Sequence, residues 1–258
     1  MNAALDIKQA LLCWRIIFYM AMSDLKARYK RTALGPLWIT LGSAVGIGGL
    51  GFVWSEIMKI DRATFVPMLT VGLIFWQFIA GSITESTSLF YRQSALIRNL
   101  QLPISLYLFQ QYCRNVLNLL HNLPVIIFVF LILGHSWNLN QLYVFPSFVL
   151  ASLNLLWMML LIGMVGARFR DLEQMIAMIF PLLMFFSPVF FKPSALGAMA
   201  KFIWLNPFSY LIEVVREPLL GNAPNIKVVF VCVLMAIIGW FFSLWMFNKK
   251  LHRIAFWV

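Results

Sequence analysis

The chain alternates between long apolar stretches and short polar breaks, and several of these stretches are long enough to cross a bilayer. A spanning helix needs about 20 mostly apolar residues. This criterion predicts six spans, whose approximate bounds are residues 37–57, 65–85, 116–133, 142–166, 175–191 and 228–247. We therefore predict an all-α integral membrane protein that forms a single domain over residues 1–258.

The first apolar segment differs from the spans because its pattern is amphipathic. Between about residues 8 and 31, apolar side chains recur at steps of three and four, at Leu11, Trp14, Phe18, Met22, Leu25 and Tyr29. A basic cluster follows the apolar run, which is not the order found in secretory signal peptides. The pattern predicts a helix that lies in the membrane interface.

A long segment between the fifth and sixth spans is also irregular. It covers about residues 192–225, and its apolar runs at 199–205 and 208–220 are each too short to cross a bilayer. We predict short helices that re-enter the outer leaflet. Glu213 and Arg216 are three residues apart in the second run, so they can pair on a helix.

The distribution of basic residues predicts the orientation of the spans. With these bounds, about 14 Lys and Arg residues lie on the side of both termini and about 6 on the other side. Cytoplasmic loops carry the excess of Lys and Arg. Both termini are therefore predicted to be cytoplasmic.

Composition agrees with a membrane protein and disfavours two other classes. Apolar residues make up 62% of the 258 residues and charged residues 11%, against roughly 25% charged in soluble domains. The formal charge of +11 lies at the edges of the spans and forms no stripe, so we predict no nucleic-acid binding. Cys13, Cys113 and Cys232 are odd in number and widely spaced, which favours neither a disulfide framework nor a metal site.

The sequence lacks the motifs of nucleotide binding and of common membrane catalysis. It contains no GxxxxGK[ST] phosphate loop and no HExxH motif. We therefore predict no catalytic residue, metal site or cofactor in this chain, and ATP energy must come from a partner. Ion-driven transport is disfavoured because Glu56, Glu85 and Arg114 fall near span ends, where snorkelling or interfacial pairing accounts for them.

Aromatic residues concentrate in the fifth span, beside Pro181 and Pro188. They are Phe180, Phe185, Phe186, Phe190 and Phe191. On residue type alone, packing within a bundle and a lumenal role fit this cluster equally well. A glycan substrate would favour the lumenal role, because aromatic faces stack on the CH-rich faces of pyranose rings.

Three stretches of the chain resemble the permease subunits of type-2 ABC exporters that carry bacterial polysaccharides. The first is Ser23–Trp38 (SDLKARYKRTALGPLW), the second is Ala167–Asp171 (ARFRD) followed by Ser187–Val189 (SPV), and the third is Asn206–Gly221 (NPFSYLIEVVREPLLG). The resemblance covers nearly the whole chain and is greatest to the O-antigen exporters.

The resemblance implies a transporter that works as an assembly. Two copies of the chain would enclose a channel, and two separate ATPase subunits would bind ATP and Mg²⁺. The dimer would pass a polysaccharide linked to undecaprenyl diphosphate from cytoplasm to periplasm across the bacterial inner membrane. Capsule or teichoic acid exporters, drug or lipid ABC permeases, and a membrane-embedded glycosyltransferase or acyltransferase remain as alternatives.

The resemblance also implies roles for individual residues. The substrate channel would be lined by Trp38 and by the five phenylalanines of the fifth span. The outer gate would contain Asn206, Pro207, Tyr210, Glu213, Arg216 and Glu217. Coupling to the ATPase would involve Asp24, Lys26, Arg28, Tyr29, Arg92 and Arg98, and the basic residues among them would also contact lipid headgroups.

Overall fold

The computed structural model describes residues 2–193, 197 and 200–257, and the regular structure of this part is entirely helical. This confirms the all-α class predicted from the sequence. The helices are α1 Ala3–Leu12, α2 Trp14–Tyr29, α3 Leu37–Met58, α4 Arg62–Ser86, α5 Leu89–Arg92, α6 Ser94–Asn99, α7 Ser105–Ile132, a 3₁₀ turn at Leu139–Tyr143, α8 Val144–Arg168, α9 Leu172–Phe185, α10 Ala200–Ile203, α11 Pro207–Leu219 and α12 Ile226–Trp257.

Five helical segments within the described residues are long and apolar enough to cross a membrane, which makes the chain a multi-pass membrane protein. They are Leu37–Ile57, Arg62–Ser86, Ser105–Ile132, Leu139–Arg168 and Ile226–Ile254. These segments correspond to the first, second, third, fourth and sixth predicted spans. The third begins at Ser105 and not near residue 116, because its polar first turns remain helical while their side chains bond to α2 and α4.

The fifth predicted span is not one continuous helix. Helix α9 has 14 residues and ends at Phe185, so it is about 21 Å long and shorter than the ~30 Å hydrocarbon core. The chain then turns, and the backbone of Val189 lies against α4 at Gly72. A Cβ at position 72 would stand 2.7 Å from the Val189 carbonyl oxygen. Glycine at this position is what permits the close approach.

Helix α4 is the centre of the bundle, and it packs against α3, α7, α8, α9 and α11. Most of its side chains are buried, whereas α3 at the edge of the bundle is largely exposed. Helices α8 and α12 form a second close pair. Gly239 makes room for the Trp157 ring in that pair, since an added Cβ would stand 2.1 Å from the indole.

The amphipathic segment near the N-terminus consists of two helices, because the chain breaks at Cys13 between α1 and α2. The face that packs on the bundle is formed by small and aliphatic side chains, including Ala10, Ala21 and Leu25. The predicted apolar stripe is divided: Leu11, Trp14 and Phe18 are exposed, whereas Leu25 is buried. The first half of the stripe thus points away from the rest of the chain.

The segment between α9 and α12 contains short helices only, as far as its residues are described. Helix α10 has four residues and α11 has 13, so neither reaches across a bilayer. Residues 194–196 and 198–199, which belong to the predicted segment 192–225, lie outside the described residues. Helix α11 packs its buried face against α4, α8 and α12.

Candidate functional site

Ionic side chains from three helices meet at the end of the bundle that is predicted to face the cytoplasm, which we call the inner end. The Arg114 guanidinium on α7 lies 2.7 Å from Glu85 on α4 and 3.2 Å from Asp24 on α2. Glu85 also pairs with Arg28 at 3.1 Å, and the Gln110 amide donates to Asp24 at 2.8 Å. We call Asp24, Arg28, Glu85 and Arg114 the inner ion network. Its two positive and two negative side chains balance, and they fasten α2 to two spans.

The predicted coupling residues differ in their exposure and in their known contacts. Asp24 and Arg28 belong to the inner ion network, whereas Lys26 is exposed and Tyr29 is half-buried on the same helix. Arg92 on α5 pairs with Glu173 on α9 at 3.4 Å across two exposed side chains. Arg98 on α6 is exposed. These residues lie on α2, α5 and α6, at or near the inner end of the bundle.

A buried carboxylate that the sequence reasoning did not single out joins the N-terminal helices to the third span. Asp6 on α1 is fully buried. It accepts hydrogen bonds from the backbone N–H groups of Ile104, at 3.0 Å, and Ser105, at 2.8 Å. These groups belong to the start of α7, so Asp6 satisfies helix-end donors from another part of the chain. The sequence signal was that Asp6 is the sole acidic residue that precedes Asp24 in the sequence.

The predicted channel aromatics separate into exposed and buried rings. Trp38, Phe185 and Phe186 are 54%, 57% and 60% exposed, whereas Phe180 and Phe190 are each 6% exposed. The Phe180 ring packs on Trp76 with centroids 5.7 Å apart, and Phe190 stacks on Trp54 at 6.0 Å. Phe191 is half-buried. Within one protomer, Phe180 and Phe190 belong to the core, and Trp38, Phe185 and Phe186 remain available for contact.

A buried arginine organises the opposite end of the bundle, which we call the outer end. Arg216 on α11 is completely buried, and it donates to the Glu213 carboxylate and to the backbone carbonyl of Pro188. Glu217 lies 3.5 Å from the same guanidinium, and the Phe191 carbonyl lies 3.4 Å from it. The sequence predicted the Glu213–Arg216 pair, and the structure contains it. The contacts with residues 188 and 191 also attach α11 to the turns that follow α9.

Local charge and burial act in opposite directions on Glu213. Burial raises the pKa of its carboxyl group, and the neighbouring Arg216 lowers it, with a net increase. The Arg216 guanidinium therefore offsets part of the free-energy cost of burying the charged form of Glu213.

Asn206 fixes the start of α11. Its side-chain oxygen accepts from the Phe208 N–H at 3.0 Å, as an N-cap residue does, and its amide donates to Ser187 Oγ at 2.8 Å. Pro207 occupies the first helical position, where no N–H is needed. Tyr210 packs against Trp204 with tilted rings, whose centroids are 4.9 Å apart. All six predicted gate residues thus take part in the structure of the outer segment, since Glu217 contacts Arg216 and also accepts from Asn222.

Comparison with known proteins adds a family-level similarity that covers most of the chain. The family model described as ABC-2 type transporter matches residues 15–220. Two proteins of Klebsiella pneumoniae named O-antigen export system permease protein RfbA are each 23% identical over 244 residues, which is 93% of either chain. A protein of the same name from Myxococcus xanthus is 23% identical over 201 residues, covering 76% of this chain and 77% of the relative.

Proposed function

Because the chain belongs to the ABC-2 type transporter family and is thus a membrane subunit of an ABC transporter, we propose that it exports a lipid-linked polysaccharide of the O-antigen type. The observation that carries this proposal is the full-length similarity to permeases named for O-antigen export. Similarity over 93% of both chains includes the spans, the inner helices and the outer segment together. The proposed substrate is a glycan on undecaprenyl diphosphate.

The conduit is proposed to form between two copies of the chain. Helix α3 is largely exposed, and its outward face carries Trp38. Phe185 and Phe186 at the end of α9 are exposed as well. Large aromatic side chains offer flat surfaces to the CH-rich faces of sugar rings without fixing a polymer in one register. In the proposed dimer these three residues line the path, and Phe180 and Phe190 support it from within each protomer.

ATP hydrolysis is proposed to take place in two separate ATPase subunits, which bind ATP and Mg²⁺ and contact the cytosolic helices. Movement of α2 would reach α4 and α7 through the inner ion network, because Arg28 and Asp24 bond directly to side chains on those spans. Arg92 and Arg98 lie on short helices α5 and α6, which extend the proposed docking surface. This arrangement supports a coupling role for α2.

The proposed topology has six crossings, both termini in the cytoplasm and the bacterial inner membrane as location. Helix α9 and the turns that follow it supply the fifth crossing in this scheme. Helices α10 and α11 re-enter from the outer side, and Arg216 fastens them to the turns at Pro188. The α1–α2 pair lies in the inner interface with Leu11, Trp14 and Phe18 toward lipid. The outer segment then acts as the gate.

Deletion and complementation test this function. A strain without the gene should lose surface O-antigen and accumulate lipid-linked glycan inside, and the wild-type gene should restore export. The purified chain should also form a stable complex with an ATPase encoded beside it. Normal surface glycan in the deletion strain would refute the proposal. A loss of drug resistance with normal surface glycan would refute it as well.

A further inference from the structure

The last helix extends beyond the predicted membrane span at its inner end. Helix α12 has 32 residues, so it is about 48 Å long and exceeds the ~30 Å hydrocarbon core. The sixth span is predicted at residues 228–247, and we call residues 248–257 the inner extension of α12. One side of this part of α12 packs on α1 and α6, and its buried residues are Phe247, Leu251 and Ile254. The inner extension is therefore a fixed part of the bundle.

The opposite side of the inner extension continues a stripe of exposed apolar residues on the span. These residues recur at steps of three and four, and the stripe reaches Ile238, Phe242 and Trp245. The next positions in the same series are Lys249 and Arg253, and both are exposed. The helices proposed to form the dimer, α3 and α9, pack on α4, so this side of α12 stays open to lipid. Lys249 and Arg253 therefore lie on the lipid-facing side of the helix.

Helix α8 places a further cation at the level of the inner extension. Helices α8 and α12 run in the same direction, from the outer end to the inner end, and the Trp157 ring fits against Gly239. Arg168 ends α8 eleven residues after Trp157, and Lys250 lies eleven residues after Gly239. Arg168 and Lys250 are therefore level with each other, just past the predicted end of the sixth span. We call Arg168, Lys249, Lys250 and Arg253 the basic collar.

The positive charge of the basic collar is not neutralised within the described residues. None of its side chains forms an ion pair there, and no Asp or Glu follows Glu217 in the sequence. Lys249 Nζ lies 3.9 Å from the centre of the Trp245 ring, and the Arg168 guanidinium lies over the Trp257 ring at 5.6 Å. Such contacts orient a cation without cancelling its charge. The basic collar thus differs from the inner ion network, whose charges balance.

Position and charge together indicate a lipid phosphate as the counterion of the basic collar. Lys and Arg at the ends of spans lie near the level of the headgroups, where Trp side chains also concentrate. Clusters of basic residues next to a span attract anionic lipids. An acidic protein that docks below the membrane would meet the tip of α12, whereas Lys249 and Arg253 lie on its flank, in line with the apolar stripe. This alignment favours a lipid over a protein partner.

We propose that the basic collar binds the headgroup phosphate of an anionic phospholipid, whose acyl chains lie along the apolar stripe of α12. Lys249 and Arg253 contact the phosphate from α12, and Arg168 contacts it from α8. The bound headgroup fixes the depth of the α8–α12 pair in the bilayer. This inference goes beyond the proposed function, because it does not depend on the substrate that the transporter carries.

Native mass spectrometry of the full chain, released from lipid nanodiscs, tests the proposal. The nanodiscs contain equal amounts of phosphatidylglycerol, which is anionic, and phosphatidylethanolamine, which carries a phosphate but no net charge. The wild-type chain should retain phosphatidylglycerol at least fivefold more strongly than phosphatidylethanolamine. Arg168→Gln, Lys249→Gln and Arg253→Gln should each lower this retention about fivefold. Arg253→Lys keeps the charge and should keep the lipid, and Lys201→Gln, at an exposed position on α10 at the outer end, is the matched control that should leave retention unchanged.

Three other outcomes would overturn the proposal. Equal retention of the two lipids, or retention that the three Gln variants leave unchanged, would show that the basic collar is only a solvated surface. Displacement of phosphatidylglycerol by millimolar inorganic phosphate would assign the collar to a soluble anion. Weaker binding of the ATPase subunit by the same variants, with unchanged lipid retention, would assign it to a protein contact. Because the three substituted side chains are exposed, we expect the variants to fold, and their unfolding midpoints check this.

Discussion

Replacement of Asp6 should destabilise the protein, because its carboxylate accepts from two N–H groups at the start of α7, one buried at Ser105 and one partly buried at Ile104. The two hydrogen bonds are 3.0 and 2.8 Å long. Asp6→Ala leaves both donors unsatisfied, at about 1–3 kcal/mol for each buried group. Loss of an N-terminal cap costs about 0.5–2 kcal/mol in other helices. Together these ranges give an expected loss of about 2–4 kcal/mol in the free energy of unfolding.

The milder change Asp6→Asn tests the size of this expected loss of stability. The asparagine side chain keeps one oxygen acceptor but places an NH₂ group where the second acceptor was, so one of the two bonds survives. We expect roughly half of the loss seen for Asp6→Ala. Thermal or SDS-induced unfolding in lipid–detergent micelles, followed by tryptophan fluorescence, should rank the proteins as wild type, Asp6→Asn and Asp6→Ala.

The control for Asp6 is Asp61→Ala. Asp61 stands at the N-cap of α4, is exposed, and makes no capping hydrogen bond through its side chain. Its replacement should leave the unfolding midpoint close to that of the wild type. The reasoning fails if Asp6→Ala destabilises no more than Asp61→Ala, or if Asp6→Asn is as destabilising as Asp6→Ala.

Three further predictions concern the proposed conduit, gate and coupling. The Phe185→Ala/Phe186→Ala variant should reduce surface glycan by more than half at normal abundance, whereas Phe241→Ala, an exposed position on α12, should not; immunoblotting of surface glycan decides between them. Arg216→Met should cost about 3–5 kcal/mol of stability by leaving a buried carboxylate unpaired, and a normal unfolding midpoint would contradict this. Arg114→Leu should keep ATP hydrolysis by the assembled transporter but lower glycan export severalfold, and parallel loss of both activities would contradict a coupling role.

The sequence was sufficient to predict the fold class and most of the spans, because a long apolar run in a membrane protein forms a spanning helix. It was less informative at the ends of helices. The third span was predicted to begin near residue 116, whereas α7 begins at Ser105 and its first turns contain Gln110, Gln111 and Arg114. In the structure these side chains bond to other helices, so α7 continues through them. Polar residues that have partners elsewhere in the bundle cannot be told from a cytosolic loop by composition alone.

The candidate site shows the same division between local and long-range information. The Glu213–Arg216 pair was predictable because both residues lie on one helix, three positions apart. The contact of Arg216 with Pro188 was not, since it joins segments separated by 28 residues. Periodicity likewise identified the apolar stripe of Leu11, Trp14 and Phe18, but not the direction in which it points. Small residues such as Ala10 and Ala21 form the packed face, because they allow α1 and α2 to approach the bundle closely.

The central position of α4 has a consequence for how the protein is made. Helix α4 ends at Ser86, and its neighbours α7 and α8 are complete only at Arg168. Translation of these 82 residues, 87–168, takes roughly 4–16 s at typical rates of about 5–20 residues per second. Glu85 lacks its α7 partner until Arg114 is made, and the face of α4 that packs on α8 stays uncovered until the end of this time. We therefore expect the nascent chain to depend on the insertion machinery to shield α4 until α7 and α8 arrive.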